Sequence, residues 1–409
     1  MRITKIAQSV QTIAQKIKDK AEIQSFFRKC GDFHGANPDI SECCWCYRLR
    51  TDFPSEPLIT SRRQRMFQDS SPKNSGLSRR QLIRAGAGTL PMMALGTAAA
   101  QQKFTFRMAH SEAIGAPLTL ALQKWCDLLN SRSGGRIDAQ HFPGSQLGSY
   151  TQLIEQSRIG TIQGTVGGPD TEESVAPEIA ATGGAPGFIF KDEAHVDKIL
   201  QGPLGDEVSA VARRKTGVEF VAYAEVGFRH ILSKRAVTNL DTLKGLKIRV
   251  PEIKIWVDFW RRMGANPTPL PYAEQYTALS TGVIDAVEAD FFSIRGFKWF
   301  EQAKHLTLSY HWFLPKAVRV NARWMDSLPA DLQALVRQSA KEVFAEQRRE
   351  NRAKTDDALA DLVKAGVTVH KLSADEAGRW FTAARPLFDE FSSKSADTKA
   401  MVGRILAAR

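Results

Sequence analysis

Two arginines, Arg229 and Arg249, lie twenty residues apart in stretches that read as neighbouring strands. Arg249 stands in Leu246-Lys247-Ile248-Arg249-Val250, a run closed by Pro251. A guanidinium on an otherwise apolar strand must find an anion or water, and its planar fork pairs two ways with a carboxylate. If the strands run side by side with both side chains facing one way, the arginines meet in a cleft. Two readings are open on these residues alone. One is a site for a small acid; the other is a structural ion pair with an acidic residue such as Glu225 or Asp285.

Signatures of catalysis are missing. There is no Walker A loop, no H-E-x-x-H and no G-x-S-x-G. Gly86-Ala87-Gly88 lacks the third glycine of a dinucleotide fingerprint. The histidines are scattered without ligand spacing, and His110, at the end of a strand, has no obvious acid or nucleophile as a sequence neighbour. Four of the five cysteines, Cys30, Cys43, Cys44 and Cys46, precede residue 65, with His34 nearby. A metal site there is disfavoured, because adjacent cysteines do not readily wrap one ion. Nothing in these residues demands a reaction.

The elements that must hold the arginines alternate in type. Residues 104–109 alternate as a first strand, and Leu118, Leu122, Trp125, Leu128 and Leu129 share one face of a helix. Residues 137–142 form a second strand, 150–157 a helix and 160–166 a short buried strand. This order predicts a parallel α/β sheet, whose sites lie at the carboxyl ends of strands. The loops 109–112, which includes Glu112, and 167–170 therefore face any ligand. A second block repeats the alternation: strands at 231–233, 246–250 and 286–289, helices at 253–263 and 272–280. Two α/β lobes are expected. Residues 330–364, nearly free of Pro and Gly, read as one helix of about 50 Å, long enough to lie across both lobes.

Charge and leader bear on location. The 409 residues carry a formal +12, but residues 1–100 hold 16 Lys or Arg against 8 Asp or Glu, so most of the excess is there. The chain beyond residue 100 is nearly neutral, which argues against a nucleic-acid partner. Ser78, Arg79, Arg80, Gln81, Leu82, Ile83 and Arg84 open a mildly apolar run ending in Ala98, Ala99 and Ala100. This is the layout of a twin-arginine signal peptide over 66–100, with translation expected from Met66, cleavage near Ala100 and delivery to the periplasm. Residues 1–65 are then a spurious or disordered extension. The mature chain keeps only Cys126, so no intrachain disulfide is expected.

Three ordered segments resemble the solute-binding proteins of tripartite ATP-independent periplasmic (TRAP) transporters. They are Leu243-Lys244-Gly245-Leu246-Lys247-Ile248-Arg249-Val250-Pro251, Met263 to Leu270, and Glu274-x-Tyr276-Thr277-Ala278-Leu279-x-x-Gly282-Val283-Ile284-Asp285. Pro143-Gly144-Ser145-Gln146-Leu147-Gly148 resembles that family's loop after its second strand. The resemblance implies a two-lobed, type II-like periplasmic binding fold with a long helix crossing both lobes. It places lobe one at 101–226 with 315–354, and lobe two at 227–314 with 355–409. It implies that Arg249 forms the main salt bridge to a substrate carboxylate, that Arg229 assists, and that the closed form delivers its ligand to a membrane permease. A monomer and a dimer are both open.

One departure shapes the ligand. Many relatives carry Q-E-N-P after a D-G pair, with the Asn touching ligand; here the run is Asp285-Ala286-Val287-Glu288-Ala289-Asp290-Phe291. The contact is expected to move to Glu288 or Asp290. Acidic groups beside an acid ligand repel it unless they accept from hydroxyls or hold a cation. A hydroxy or keto acid is therefore expected, with no cofactor beyond a metal ion left open alongside it. Phe228, Trp256, Phe291 and Phe292 are candidate apolar walls, or simply core. The rival reading is a twin-arginine-exported periplasmic enzyme acting on a small carboxylic acid.

Overall fold

The structure is a computed structural model that describes residues 102–409. The expected leader, its cleavage point and the upstream extension lie outside these residues.

Among the described residues nine strands form one mixed sheet: β1 (Phe104–Ala109), β2 (Ile137–Phe142), β3 (Gly164–Gly167), β4 (Val218–Ser233), β5 (Lys247–Val250), β6 (Asn266–Pro269), β7 (Ala286–Ala289), β8 (His305–Asn321) and β9 (Thr368–Lys371). The order is β2-β1-β3-β8-β4-β7-β5-β6, with β9 beside β8. The centre is an antiparallel ribbon of β4 and β8, which have 16 and 17 residues. At ~3.3 Å per residue each runs roughly 50 Å. The ribbon is shared by two similar halves. β1, β2 and β3 are mutually parallel and join β8 through β3. β5, β6 and β7 are mutually parallel and join β4 through β7.

Register decides where the strand ends go. β3 runs from Gly164 opposite Val320 to Gly167 opposite Ala317. β7 runs from Ala286 opposite Ser233 to Ala289 opposite His230. Both halves therefore aim their carboxyl ends at the middle of the ribbon, the position where ligands bind in open α/β sheets.

At that middle the ribbon is irregular. Register breaks between Glu225 and Phe228, where Pro315 faces Glu225, and again between Arg229 and Ile231. Gly227 has φ 91°, a left-handed conformation that costs glycine little. A proline cannot donate to the ladder, so Pro315 is at home beside a bulge.

β4 was visible in the sequence only as residues 231–233, and β8 not at all. The reason is burial: β4 is covered on both faces over nearly its whole length, so no alternation marks it. The helix expected over 330–364 is two helices, Ala330–Ala353 and Thr355–Lys364, broken at Lys354. The first packs along β4 and the helix Pro117–Arg132. The main core gathers Phe106, Trp125, Phe344, Trp256, Phe259 and Trp312 with their neighbours; a second cluster around Leu232, Val287, Trp299 and Leu306 fills the β7 side.

Candidate functional site

β5 buries Ile248 and Val250 completely, and Arg249 between them faces the other way. Its Nε and Nη2 both donate to one acceptor, the carbonyl of Leu270, at 2.9 and 2.8 Å. Its guanidinium carbon lies 5.2 Å from the centre of the Tyr272 ring. The residue is 2% exposed, yet among the described residues no carboxylate comes within ion-pair distance. Burial pulls its pKa down to about 10, with Glu288 and Tyr272 opposing and Arg229 reinforcing. It stays a cation at neutral pH. A buried cation with only a carbonyl and a ring for company is an anion site in electrostatic terms.

Arg229 on β4 is different. Its Nε donates to Glu288 Oε2, and its Nη2 donates to Glu288 Oε1 at 2.9 Å and to the Glu288 carbonyl at 2.5 Å. Burial alone would lower its pKa, but the Glu288 carboxylate outweighs it and the net shift is upward. Glu288, wholly buried, would be raised by desolvation; Arg229 and His311 hold it below its ordinary value. The His311 Nε2 is 3.6 Å from Glu288 Oε2, just beyond hydrogen bonding. Arg229 thus fulfils the structural-pair reading, with Glu288 in place of Glu225 or Asp285. Those two pair elsewhere: Glu225 with Arg352 at 2.8 Å and Asp285 with Lys247 at 3.7 Å. The Nη1 of Arg229 remains 4.0 Å from Asp290 Oδ2, and its guanidinium lies 5.3 Å from the Trp256 ring.

The opposing half supplies its own polar groups. Lys316 Nζ donates to Glu112 Oε1 at 2.8 Å, both buried, and lies 5.2 Å from the Tyr150 ring. Trp256 Nε1 donates to Asp170 Oδ2 at 2.6 Å, tying the segment after β5 to the loop after β3. Burial raises the Asp170 pKa to about 6, held back by Trp256, Lys316, Arg319 and Arg229. The Glu112 charge is felt by both Tyr272 and Asp290. The groups from both halves therefore form one buried cluster.

The structure brings Arg249, Arg229, Glu288, Asp290, Trp256 and Glu112 together, and all but Arg249 are engaged by other side chains of the protein. Glu288 is locked on Arg229. Asp290 caps the helix Phe291–Gly296, accepting from Ser293 N at 2.9 Å and Ser293 Oγ at 2.7 Å, and burial raises its pKa. Phe228 goes elsewhere. Next to Arg229 on the strand, it points to the opposite face and packs edge-on against Tyr310 and Phe313. With Phe291 and Phe292 it lines a neighbouring cleft of about 490 Å³ that holds neither arginine. This removes Phe228 from the arginine pair. Two of the cleft's four acids are explained locally, since Asp192 and Asp290 each cap a helix. A second cleft of about 340 Å³, between Thr151, Glu173, Glu252 and Lys394, also lies beside the cluster rather than in it.

Sequence reasoning missed Tyr272, Lys316 and His311. Lys316 had a signal, a lysine inside the apolar run Trp312 to Val320. Tyr272 had none, for an aromatic after a Pro-rich link looks like any turn residue. His110 is buried against His141, with Nε2 to Nε2 at 2.7 Å, and its pKa falls to about 3 through burial, His141 and Lys316. It is a neutral packing residue. Among the described residues no three His, Cys, Asp or Glu side chains gather in a metal-holding group.

A ribbon shared by two parallel half-sheets, with a buried unpaired cation where their strand ends converge, defines a two-lobed ligand-binding protein. Residues 108–395 match the bacterial extracellular solute-binding protein family 7, and the chain belongs to that family, the solute receptors of TRAP transporters. It is 34% identical over 251 residues to the 2,3-diketo-L-gulonate-binding periplasmic protein of Escherichia coli K12, covering 61% of this chain and 76% of that one. The C4-dicarboxylate-binding periplasmic protein of Rhodobacter capsulatus is 28% identical over 337 residues, 80% of this chain and 98% of that one. The crystal structure of a TRAP periplasmic solute-binding protein from Xanthobacter autotrophicus with bound β-D-galacturonate superposes with a TM-score of 0.70. It is 32% identical and covers 74% of this chain and 100% of that one. These relatives are binding proteins, and the enzyme reading finds no support among them.

Proposed function

We propose that this protein is the periplasmic receptor for a sugar acid, whose carboxylate pairs with Arg249, and that it hands the acid to a TRAP membrane permease without chemical change. The observation that carries the reading is Arg249 itself, a buried guanidinium with no carboxylate partner among the described residues. The Arg229–Glu288 pair forms a fixed wall beside it. The acidic groups around the arginines favour a hydroxylated acid over a bare dicarboxylate, because a carboxylate oxygen such as Asp170 Oδ1 repels a second charge and can accept from a hydroxyl. The relatives that bind 2,3-diketo-L-gulonate and β-D-galacturonate support the same choice. No cofactor is needed for this work. Contacts such as Trp256 to Asp170, Ile255 N to Glu173 Oε2 at 2.7 Å and Thr151 to Glu252 at 3.3 Å join the two halves when the cleft is shut. A ligand touching both halves favours that state by its differential affinity.

The test is mass spectrometry of small molecules released from freshly purified protein, followed by titration calorimetry with the acid found. A released sugar acid that rebinds in a 1:1 complex, and fails to bind Arg249→Ala, supports the reading. A ligand without a carboxylate, or equal affinity in the variant, overturns it.

A further inference from the structure

The two oxygens of Asp170 have different fates. Oδ2 accepts from Trp256 Nε1 at 2.6 Å. Oδ1 is buried and has no hydrogen-bond partner, and the residue is 1% exposed. Lys316, Arg319 and Arg229 lie near enough to the carboxylate to favour its ionised form. A buried carboxylate oxygen without a donor carries its full desolvation penalty. Glycine at 168 is what lets the carboxylate sit this close to the chain, since a Cβ there would stand 1.9 Å from Oδ1. Asp170 also lies at the carboxyl end of β3, where its half-sheet meets the arginine half.

We propose that Asp170 Oδ1 accepts a hydrogen bond from a hydroxyl of the bound acid, while Oδ2 on Trp256 couples that recognition to closure of the cleft. The inference rests on the sugar-acid reading of the Arg249 site and deepens it: Arg249 takes the charge, and Asp170 selects for the hydroxylated body. A hydrogen bond donated to a charged acceptor, buried on both sides, should change affinity roughly ten- to a hundredfold.

The experiment titrates wild type, Arg249→Ala and Asp170→Asn with D-galacturonate, D-glucuronate, L-gulonate and D-galactonate. The acid bound best is then followed by its monodeoxy derivatives. Asp170→Asn should weaken the parent acid by about tenfold or more, and one monodeoxy derivative should lose as much in wild type but nothing further in the variant. Apo Asp170→Asn should melt no lower than wild type, because a buried charge has been removed; a residue that merely holds Trp256 predicts a lower melting temperature instead. A measurement on wild type alone guards against a variant that does not fold. A hydroxyl donor favours the ionised carboxylate, so near pH 6 binding should release protons, read from buffers of different ionisation enthalpy. The charged or titratable groups facing Asp170 are Lys316 and Arg319 on β8, Arg229 on β4 and Tyr150 on the helix Tyr150–Ile159. None of these side-chain types ordinarily titrates near pH 6. If the acids bind and Arg249→Ala abolishes binding, but Asp170→Asn binds as tightly as wild type, the Asp170 assignment is overturned and the receptor reading stands. If none of the four acids binds wild type, the sugar-acid reading fails and takes this inference with it.

Discussion

The two buried arginines occupy neighbouring parts of one cluster under opposite electrostatic rules. Arg229 has its counter-ion built in, across the β4–β7 pairing, and the pair is complete without a guest. Arg249, on β5, which is separated from β4 by β7 rather than running beside it as the sequence suggested, has a carbonyl and a tyrosine face and no carboxylate. The same residue type is thus a structural member in one place and, on the proposed reading, the anchor for a guest in the other. What separates them is Glu288 on the neighbouring strand, and neither burial nor sequence context reveals it. Burial is nearly equal for the two, and it is the sign of the net pKa shift, upward for Arg229 and downward for Arg249, that tells them apart.

That contrast breaks first in stability. Arg229→Ala leaves Glu288 buried and unpaired, which should cost about 3–5 kcal/mol of folding free energy, seen as a lower denaturant midpoint. Changing both residues to apolar ones of similar volume should restore most of it. Arg249→Ala should do the reverse, with apo stability held or raised and acid affinity down by at least ~30-fold in calorimetry, from about 2–5 kcal/mol of lost interaction.

The carboxylates sharpen the comparison through pH. The folded-state pKa of Glu288 is depressed, so its contribution is present above its ordinary 4.5 and disappears as pH falls through the lower folded value. Asp170 is raised from 3.8 to about 6. Burying its ionised form is a cost above pH 6, relieved as pH falls from 6 towards 3.8. Two pKa units correspond to roughly 3 kcal/mol at most. Apo melting temperature should therefore hold or rise between pH 7 and pH 5 relative to Asp170→Asn, then fall below about pH 4. The smallest effect is expected at Tyr272. Its replacement by Leu removes a cation–π contact of about 0.5–2 kcal/mol at Arg249, and should weaken acid binding a few fold while leaving the Arg229 side unchanged.

Much of the architecture was legible because the parallel half-sheets speak in strand–helix alternation. β1, β2 and β7 fall where the pattern puts them. The ribbon was hidden. A strand buried on both faces has no period-two signature, and Pro315 inside β8 reads as a breaker until the bulge opposite it is seen. The helix break at Lys354 has no Pro or Gly to announce it. At the site, the Lys-Ile-Arg-Val-Pro run pointed to Arg249, and the loop ending in Asp170 was marked by its place after β3. The partner of Arg229 was not readable, since pairing of β4 with β7 joins residues 59 apart in sequence. Phe228 was drawn to the arginines by adjacency along the chain, and strand pleating sends it to the other face.

The irregular centre of the ribbon has a mechanical consequence. Two continuous backbones crossing from one half to the other resist twisting and sliding like a leaf spring. Around Gly227 and Pro315, however, the ladder loses rungs, and bending stiffness drops along that one line. A ligand-driven closure of the proposed receptor would bend most easily there.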